Sequence, residues 1–319
     1  MTAPSLAKFG IAVGHATDAT GGTGCTVVRG IDGPHRAAVA VIGRATGSRE
    51  LALLEPGHLV ERVDAVLLTG GSAYGLDAAA GVMRWMESQG RGFPVGGGVV
   101  PIVPAAVLFD LAPLGKFDAR PTADMAFAAC DSATVSGAAE GAVGAGTGCT
   151  VGKLLGASGA MKGGLGIAVA EGAGCAAAAI VAVNAFGDVR DARGAIIAGA
   201  RDAKGAFVDS ARMIAGGQAS GGFAAAASNT TLAVVALTAA YTRLELQRIA
   251  RAATAAYHRR ITPAGTSFDG DIIFALAPME GPSAPLLQGE MLAVQALEEA
   301  IERAVRLAKG RDGVRGLAD

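Results

Sequence analysis

Short apolar runs bounded by Gly-rich or polar residues recur along this chain and predict buried strands. They are Val63–Thr69, Ile180–Val183, Leu232–Leu237 and Ile272–Leu276. Continuous apolar runs of about four to eight residues, rich in β-branched side chains, are typical of strands that are covered on both faces. The pattern therefore predicts that the core of the protein is built around strands at these four places.

Three segments are predicted to be helices. The first runs from about Leu76 to Gln89, after a glycine turn that follows the first buried strand. The second begins at a capping box formed by Thr242 and Glu245, after which four apolar residues recur on one helical face: Leu246, Ile249, Ala253 and Ala256. The third, Gln288–Leu307, is amphipathic. We expect the last two to cover the sheet.

Two Gly/Ala-rich segments are interpreted as irregular. Ala192–Gly222 is the best candidate for a mobile linker, and Met213–Ala227 is predicted to be an exposed loop. The string Ser228-Asn229-Thr230-Thr231 follows directly and leads into the run Leu232–Leu237. A hydroxyl group is therefore predicted to lie where a flexible loop becomes a rigid strand, a placement that suits a nucleophile.

Cleavage of the bond between Asn229 and Thr230 would give Thr230 a free α-amine beside its own hydroxyl. An α-amine has a pKa near ~8, so it can accept the hydroxyl proton at neutral pH. One residue would then supply both nucleophile and base. Taken alone, these residues are more simply explained as ordinary polar loop residues before a strand.

Other polar residues mark ends of the predicted strands. Asp269 and Asp271 precede the last one, and in extended backbone they would face the same way, although an ordinary Asp-Gly turn also explains them. Asn184 follows Ile180–Val183 and is placed either to donate an amide hydrogen bond or to cap a turn. Lys153 is a lone cation among glycines, aimed either into a pocket or into solvent.

The glycine turn before the first helix contains Ser72 and Tyr74. It matches neither a dinucleotide-binding nor a Walker motif, and it is one residue short of a hydrolase nucleophile elbow, so we interpret it as a substrate-pocket loop. His15, beside a turn, is expected to be structural rather than catalytic. The pentapeptide Thr23–Val27 recurs at Thr147–Val151, which predicts two similar loop-to-strand entries that are neighbours in the fold.

Composition excludes several classes of function. The 319 residues carry a net charge of −1 and 17% charged side chains without a basic face, so neither nucleic acid nor a membrane is an expected partner. The four widely spaced cysteines form no CxxC pair and are interpreted as small buried residues in a reducing compartment. We expect no metal, no cofactor and a cytoplasmic location.

Several strings in one order resemble a single family, the DmpA-type L-aminopeptidase/D-esterase hydrolases, which include β-peptidyl aminopeptidases and nylon-oligomer hydrolases. These strings are VGHATD with TGCTVV, LLTGGSAYGLDAAAGVMRW, PIVPAAVLFDL, VNAFGDV, SNTTLAVVAL and FDGDIIFAL. The resemblance implies an α/β fold, a four-layer α-β-β-α sandwich shared with ornithine acetyltransferases. It also implies a homo-oligomer, a tetramer by family resemblance, and a peptide or other linear amide as substrate.

The same resemblance implies that a single domain, residues 1–319, cleaves itself into chains 1–229 and 230–319. Thr230 would be the nucleophile, Asp269 and Asp271 its acidic partners, Asn184 an oxyanion-hole amide and Lys153 a pocket lysine. Some relatives carry a tyrosine, proposed as an oxyanion donor, where this chain has Phe109. Loss of one such donor can cost about 10²–10³ in rate.

Two other functions stay open at this level. An acyltransferase of the ornithine acetyltransferase type would use the same threonine to move an acyl group onto an amine. A member that has lost its chemistry, as Phe109 hints, would serve as a binding or scaffold protein.

Overall fold

A computed structural model describes residues 3–218 and 229–319. The bounds of its helices are α1 (Ala79–Ser88), α2 (Ala123–Asp131), α3 (Ser210–Ala215), α4 (Arg243–Arg260) and α5 (Leu286–Arg306). Its strands are β1 (Ile11–Asp18), β2 (Thr23–Gly30), β3 (His35–Val41), β4 (Gly47–Arg49), β5 (Arg62–Val63), β6 (Ala65–Thr69), β7 (Phe93–Val95), β8 (Gly98–Val100), β9 (Ala105–Val107), β10 (Thr150–Val151), β11 (Met161–Lys162), β12 (Gly164–Gly172), β13 (Cys175–Asn184), β14 (Asp188–Arg190), β15 (Ile196–Ala198), β16 (Thr230–Leu237), β17 (Ile261–Thr262) and β18 (Ile272–Pro278).

Two large sheets are stacked at the centre of the molecule. Across the described residues, one sheet has the strand order β1-β2-β6-β9-β4 and the other the order β12-β13-β16-β18-β3-β5. One apolar core, with Leu68 and Phe274, lies between the sheets. Helices α1 and α2 cover the first sheet around Trp85, and α4 and α5 cover the second around Leu246 and Leu297. The predicted four-layer α-β-β-α sandwich is confirmed.

Strand β16 is the middle of the second sheet and is buried on both faces. It pairs antiparallel with β13 and parallel with β18. Leu232 and Val234 contribute to the core between the sheets, whereas Ala233 and Val235 contribute to the core under the helices. Because side chains alternate along a strand, this continuous apolar run serves two cores at once, as the sequence pattern predicts.

The high glycine and alanine content reflects close contact between sheet and helices. A Cβ atom on Gly166 in β12 would lie 2.0 Å from the backbone oxygen of Ala300 in α5. No side chain fits at that distance, so the helix lies directly on the strand there.

The structure contains the three predicted helices, with small differences in their bounds, and it brings the two repeated pentapeptides close together. Helix α4 begins at the capping box, in which the Thr242 side chain accepts from the Glu245 N–H and the Glu245 carboxylate from the Thr242 N–H. The helix predicted from Leu76 to Gln89 begins within a 3₁₀ helix, Ser72–Ala78, and continues as α1. The two repeated pentapeptides lie close together, since a Cβ on Gly148 would lie 2.5 Å from the oxygen of Gly22, the residue directly before Thr23.

The prediction of a mobile linker over Ala192–Gly222 is wrong for its described part, which contains β15 and α3. The reason is the buried carboxylate of Asp188, which accepts hydrogen bonds from the Ala200 N–H and from both the N–H and hydroxyl of Ser210. The loop predicted from Met213 begins inside α3, so that boundary is also wrong. Residues 219–228, including Ser228, lie outside the described residues.

All four cysteines are free and buried, which confirms their structural interpretation. His15 shares a 3.0 Å hydrogen bond with the Thr26 hydroxyl, and burial lowers the pKa of the imidazole to about 4. These observations support a structural role for the histidine. Within residues 3–218 and 229–319, no helix has the length and apolar character needed to cross a bilayer.

Candidate active site

The polar residues singled out in the sequence meet at one edge of the second sheet. Asn184 at the end of β13 is paired directly with Thr230 at the start of β16. On the other side, Asn229 pairs with Asp269 in a parallel bridge just before β18. Because β16 and β18 run parallel and β13 runs against them, the end of one strand meets the beginnings of two others. Residues distant in sequence are thereby brought together.

The Thr230 side chain is buried, and its hydroxyl contacts the peptide bond that joins Asn229 to Thr230. The residue is 5% exposed, and its hydroxyl donates to the carbonyl oxygen of Asn229 at 2.6 Å. The same carbonyl oxygen accepts the backbone N–H of Gly270 at 2.9 Å. The alternation of side chains along β16 directs Thr230 toward the face that lies between the two sheets, and directly opposed residues such as Asn184 share that face.

Asp269 and Asp271 hold the backbone around this threonine. One carboxylate oxygen of Asp271 accepts the Thr231 N–H at 2.7 Å, and the other accepts the Gly265 N–H at 3.2 Å. Asp269 accepts the Thr266 N–H at 2.7 Å. That both aspartates face one site stays a prediction, although Asp271 interacts electrostatically with Asp269 and both interact with Lys153.

Burial raises the pKa of both carboxyl groups. For Asp271 it raises the pKa to about 7, and the nearby charge of Asp269 acts in the same direction, while the two backbone donors and Lys153 oppose it. For Asp269 burial also raises the pKa, against the hydrogen bonds from Thr266. Two close carboxyl groups titrate as a pair, so their proton affinities belong to the pair.

Lys153 and Asn184 form a hydrogen-bonded unit next to Thr230. The Lys153 Nζ donates to the Asn184 side-chain oxygen at 2.8 Å and to its backbone oxygen at 3.3 Å. The Asn184 Nδ2 donates to the backbone oxygen of Phe109 at 2.8 Å, and its Oδ1 also accepts the Thr150 N–H. Burial lowers the pKa of the Lys153 amine to about 7. Phe109 thus contributes its carbonyl, which orients the amide.

The predicted substrate-pocket loop lies beside Phe109. The N–H of Ser72 donates to the Leu108 oxygen at 3.0 Å, and Ser72 has a left-handed backbone with φ 52°. Tyr74 is 54% exposed, and the guanidinium of Arg120 lies 3.5 Å from the centre of its ring. The loop is therefore adjacent to the segment that orients Asn184, and Tyr74 is on its solvent side.

Sequence reasoning gave no role to two buried residues beside the site. Asp110 accepts the Thr23 hydroxyl and the Gly71 N–H, each at 2.7 Å, and burial raises its pKa to about 6. The hydroxyl of Tyr257 in α4 reaches the carbonyl oxygens of Thr231 and Ile272 at 3.2 and 3.3 Å. The apolar period of α4 could have located Tyr257, because a buried tyrosine hydroxyl needs a partner.

Comparisons with known proteins agree with this geometry. The profile of Peptidase family S58 matches residues 9–318. An uncharacterized aminopeptidase of Mycobacterium leprae is 44% identical over 288 residues, covering 84% of this chain and 76% of that protein. A 6-aminohexanoate-oligomer endohydrolase of a Kocuria species is 29% identical over 282 residues, covering 85% of this chain and 74% of that protein.

Solved structures share the fold. The L-aminopeptidase D-Ala-esterase/amidase of Ochrobactrum anthropi, described as a variant of the Ntn hydrolase fold, superposes with a TM-score of 0.70 at 21% identity over 97% of this chain and 88% of its own. A β-aminopeptidase of a Burkholderia species gives a TM-score of 0.68 at 20% identity over 99% of this chain and 92% of its own.

Proposed function

This chain belongs to peptidase family S58, whose members hydrolyse amide bonds, and from that premise we propose that it is a self-processing aminopeptidase-like hydrolase with Thr230 as nucleophile. Cleavage between Asn229 and Thr230 gives a larger chain, 1–229, and a smaller chain, 230–319. The observation that carries the proposal is the position of the Thr230 hydroxyl. It lies 2.6 Å from the Asn229 carbonyl oxygen, and Thr230 faces Asn184 across paired strands.

The cleaved chain uses the new α-amine of Thr230 as its base. The hydroxyl oxygen attacks an amide carbonyl, its proton passes to the α-amine and then to the departing substrate nitrogen, and an acyl-enzyme ester forms. Water then attacks the ester, returns a proton to the threonine oxygen and releases the carboxylic acid. No group other than water is consumed.

The surrounding residues have distinct tasks in this proposal. The Asn184 amide, which hydrogen-bonds to Lys153 and Phe109, stabilises the oxyanion of the substrate. Asp271, through the Thr231 N–H, fixes the start of β16 and with it the nucleophile. Lys153 favours the charged forms of the neighbouring aspartates, since an opposite charge stabilises a carboxylate.

The names of the relatives support a linear amide substrate, and the aminopeptidase name supports one with a free amino end. The mycobacterial relative is called an aminopeptidase, and the Kocuria relative acts on 6-aminohexanoate oligomers. Both descriptions involve linear amides. A buried carboxylate beside the nucleophile, such as Asp269, suits binding of a substrate ammonium group.

Intact mass spectrometry of the purified protein, combined with a screen of aminoacyl p-nitroanilides, tests the proposal. We expect two masses, for residues 1–229 and 230–319, and release of p-nitroaniline only from the cleaved material. A single mass for the whole chain, together with undiminished amide hydrolysis, would contradict it.

Tyr257→Phe is expected to weaken the edge of the sheet that carries the nucleophile. The change removes a buried donor shared by the carbonyls of Thr231 and Ile272, so the free energy of unfolding should fall by about 1–2 kcal/mol. Self-cleavage should also slow, because these carbonyls flank Thr230 and Asp271. Urea unfolding and the time course of cleavage measure the two effects.

Tyr241→Phe is the matched control, since its buried hydroxyl donates to the Pro285 oxygen at 3.3 Å, away from β16. A similar loss of stability with normal cleavage is expected. Equal slowing in both variants would show that Tyr257 acts only through general stability.

A further inference from the structure

The peptide bond before Thr230 is held by a backbone donor from the neighbouring strand. The N–H of Gly270 donates to the carbonyl oxygen of Asn229 at 2.9 Å. This carbonyl belongs to the bond that the proposed function requires to be cut. A donor on that oxygen draws electron density from the carbonyl carbon, which is the atom that the Thr230 hydroxyl must attack.

We propose that the backbone N–H of Gly270 is an oxyanion donor for self-cleavage between Asn229 and Thr230, an inference that rests on the proposed self-processing function. The Thr230 Oγ forms a bond to the Asn229 carbonyl carbon, and negative charge develops on the oxygen that Gly270 already contacts. Collapse breaks the bond to the Thr230 nitrogen, which takes up the proton lost by Oγ. Water then hydrolyses the ester and leaves the Asn229 carboxylate.

The Gly270 donor is fixed in place before the reaction. The Asp269 carbonyl accepts the Ala45 N–H at 3.0 Å, and the Asp271 carbonyl accepts the Ile42 N–H at 2.9 Å. These bonds clamp the backbone on both sides of Gly270. A donor that needs no movement as charge develops is worth more to catalysis than a mobile one.

Only glycine allows the backbone to come so close. A Cβ atom at position 270 would lie 2.6 Å from the Thr230 Oγ1 and 2.7 Å from the Ala45 oxygen. Both distances are shorter than van der Waals contact, so any side chain there would displace the nucleophile or the clamp. The close approach is what puts the N–H on the carbonyl.

The Asn184 Nδ2 donates to the Phe109 oxygen at 2.8 Å, and its Oδ1 accepts from Lys153. The backbone N–H of Gly270 donates to the Asn229 carbonyl alongside the attacking Thr230 hydroxyl itself. It therefore supplies stabilisation that does not depend on a tyrosine at position 109.

Replacing Gly270 with glycolic acid by in vitro translation tests the inference, because the ester removes the N–H and adds no atoms. We expect the full-length chain to fold and to cleave about 10²–10³-fold more slowly than the all-amide chain. Appearance of chain 230–319 on a gel gives the rate, and resistance to trypsin verifies folding. Cleavage at the unmodified rate would overturn the inference.

A second ester serves as the matched control, since the glycolate also weakens the Asp269 carbonyl as an acceptor. Lactic acid at position 45 removes the Ala45 N–H that donates to this carbonyl, yet leaves the Gly270 N–H intact. Near-normal cleavage of the lactate chain supports the direct role of Gly270, and equal slowing of both esters overturns it. An all-amide chain that never cleaves would refute the proposed function itself, a result distinct from either ester outcome.

Discussion

Replacing Thr230 with alanine is expected to leave the chain uncut and to abolish amide hydrolysis. In the proposed mechanism the hydroxyl is the attacking group in self-cleavage, and cleavage creates the amine that serves as base, so one substitution removes both steps. Loss of a nucleophile typically costs on the order of 10⁶ in kcat. Intact mass should show one species covering residues 1–319, and release of p-nitroaniline should fall to the background rate.

The adjacent threonine gives the matched control. Thr231 is also buried, but the alternation along β16 turns its side chain toward the helices. Thr231→Ala should therefore cleave and hydrolyse, because the bond from its N–H to Asp271 is made by the backbone. Thr230→Ser should also retain both reactions. Cleavage of the Thr230→Ala chain would show that Thr230 is not the nucleophile. Absence of cleavage in a normally folded Thr231→Ala chain would contradict the assignment as well.

Local sequence patterns predicted the strands and covering helices because burial and capping leave local signatures. The run Leu232–Leu237 is apolar on both faces since it serves two cores, and the Thr242 capping box marks the start of α4 without reference to the rest of the chain. The linker error at Ala192–Gly222 has the opposite cause. Its order depends on a carboxylate at Asp188, which no local property of that Gly/Ala-rich segment reveals.

The candidate site was predictable in its residue types but not in its contacts. Strand ends identified Asn184, Thr230 and Asp271, because polar residues at the ends of buried runs are locally visible. The pairing of Asn184 with Thr230 and the bond from Gly270 to the Asn229 carbonyl depend on sheet order and register. A glycine between two aspartates carries no signal of its own, so the role proposed for its backbone N–H could be inferred only from the fold.

The rate of self-cleavage is expected to rise with pH up to about 7. In the uncut chain Thr230 has no free amine, so another group must take the hydroxyl proton. We propose the aspartate pair for this task, since burial together with Asp269 raises the pKa of Asp271 to about 7 and one Asp271 oxygen accepts the N–H of the adjacent Thr231. Below that value the ionised fraction falls about tenfold per pH unit, so cleavage at pH 5 should be about 100-fold slower than the plateau rate.

Stability should change in the opposite direction over the same interval. The folded protein holds the Asp271 proton up to about pH 7, whereas the unfolded chain releases it near the ordinary value of 3.8. Between these values the folded state binds more protons, so this carboxyl contributes stability at low pH that is lost as the pH rises toward 7. Urea unfolding at pH 5 and pH 7, compared between wild type and Asp271→Asn, measures that contribution.

Two substitutions assign the pH dependence of cleavage to a residue. Asp271→Asn should remove the rise between pH 5 and 7, and Asp269→Asn should move it to lower pH, because the like charge that raises the Asp271 pKa is gone. A rise that survives unchanged in Asp271→Asn would point instead to Lys153. Burial lowers the pKa of that amine to about 7, so its neutral form also becomes available as a base over this range. The α-amine of Thr230 does not exist before self-cleavage, so the pH dependence of self-cleavage distinguishes Asp271 from Lys153 as the base. Hydrolysis by the cleaved enzyme would not distinguish them, because the α-amine is then the base.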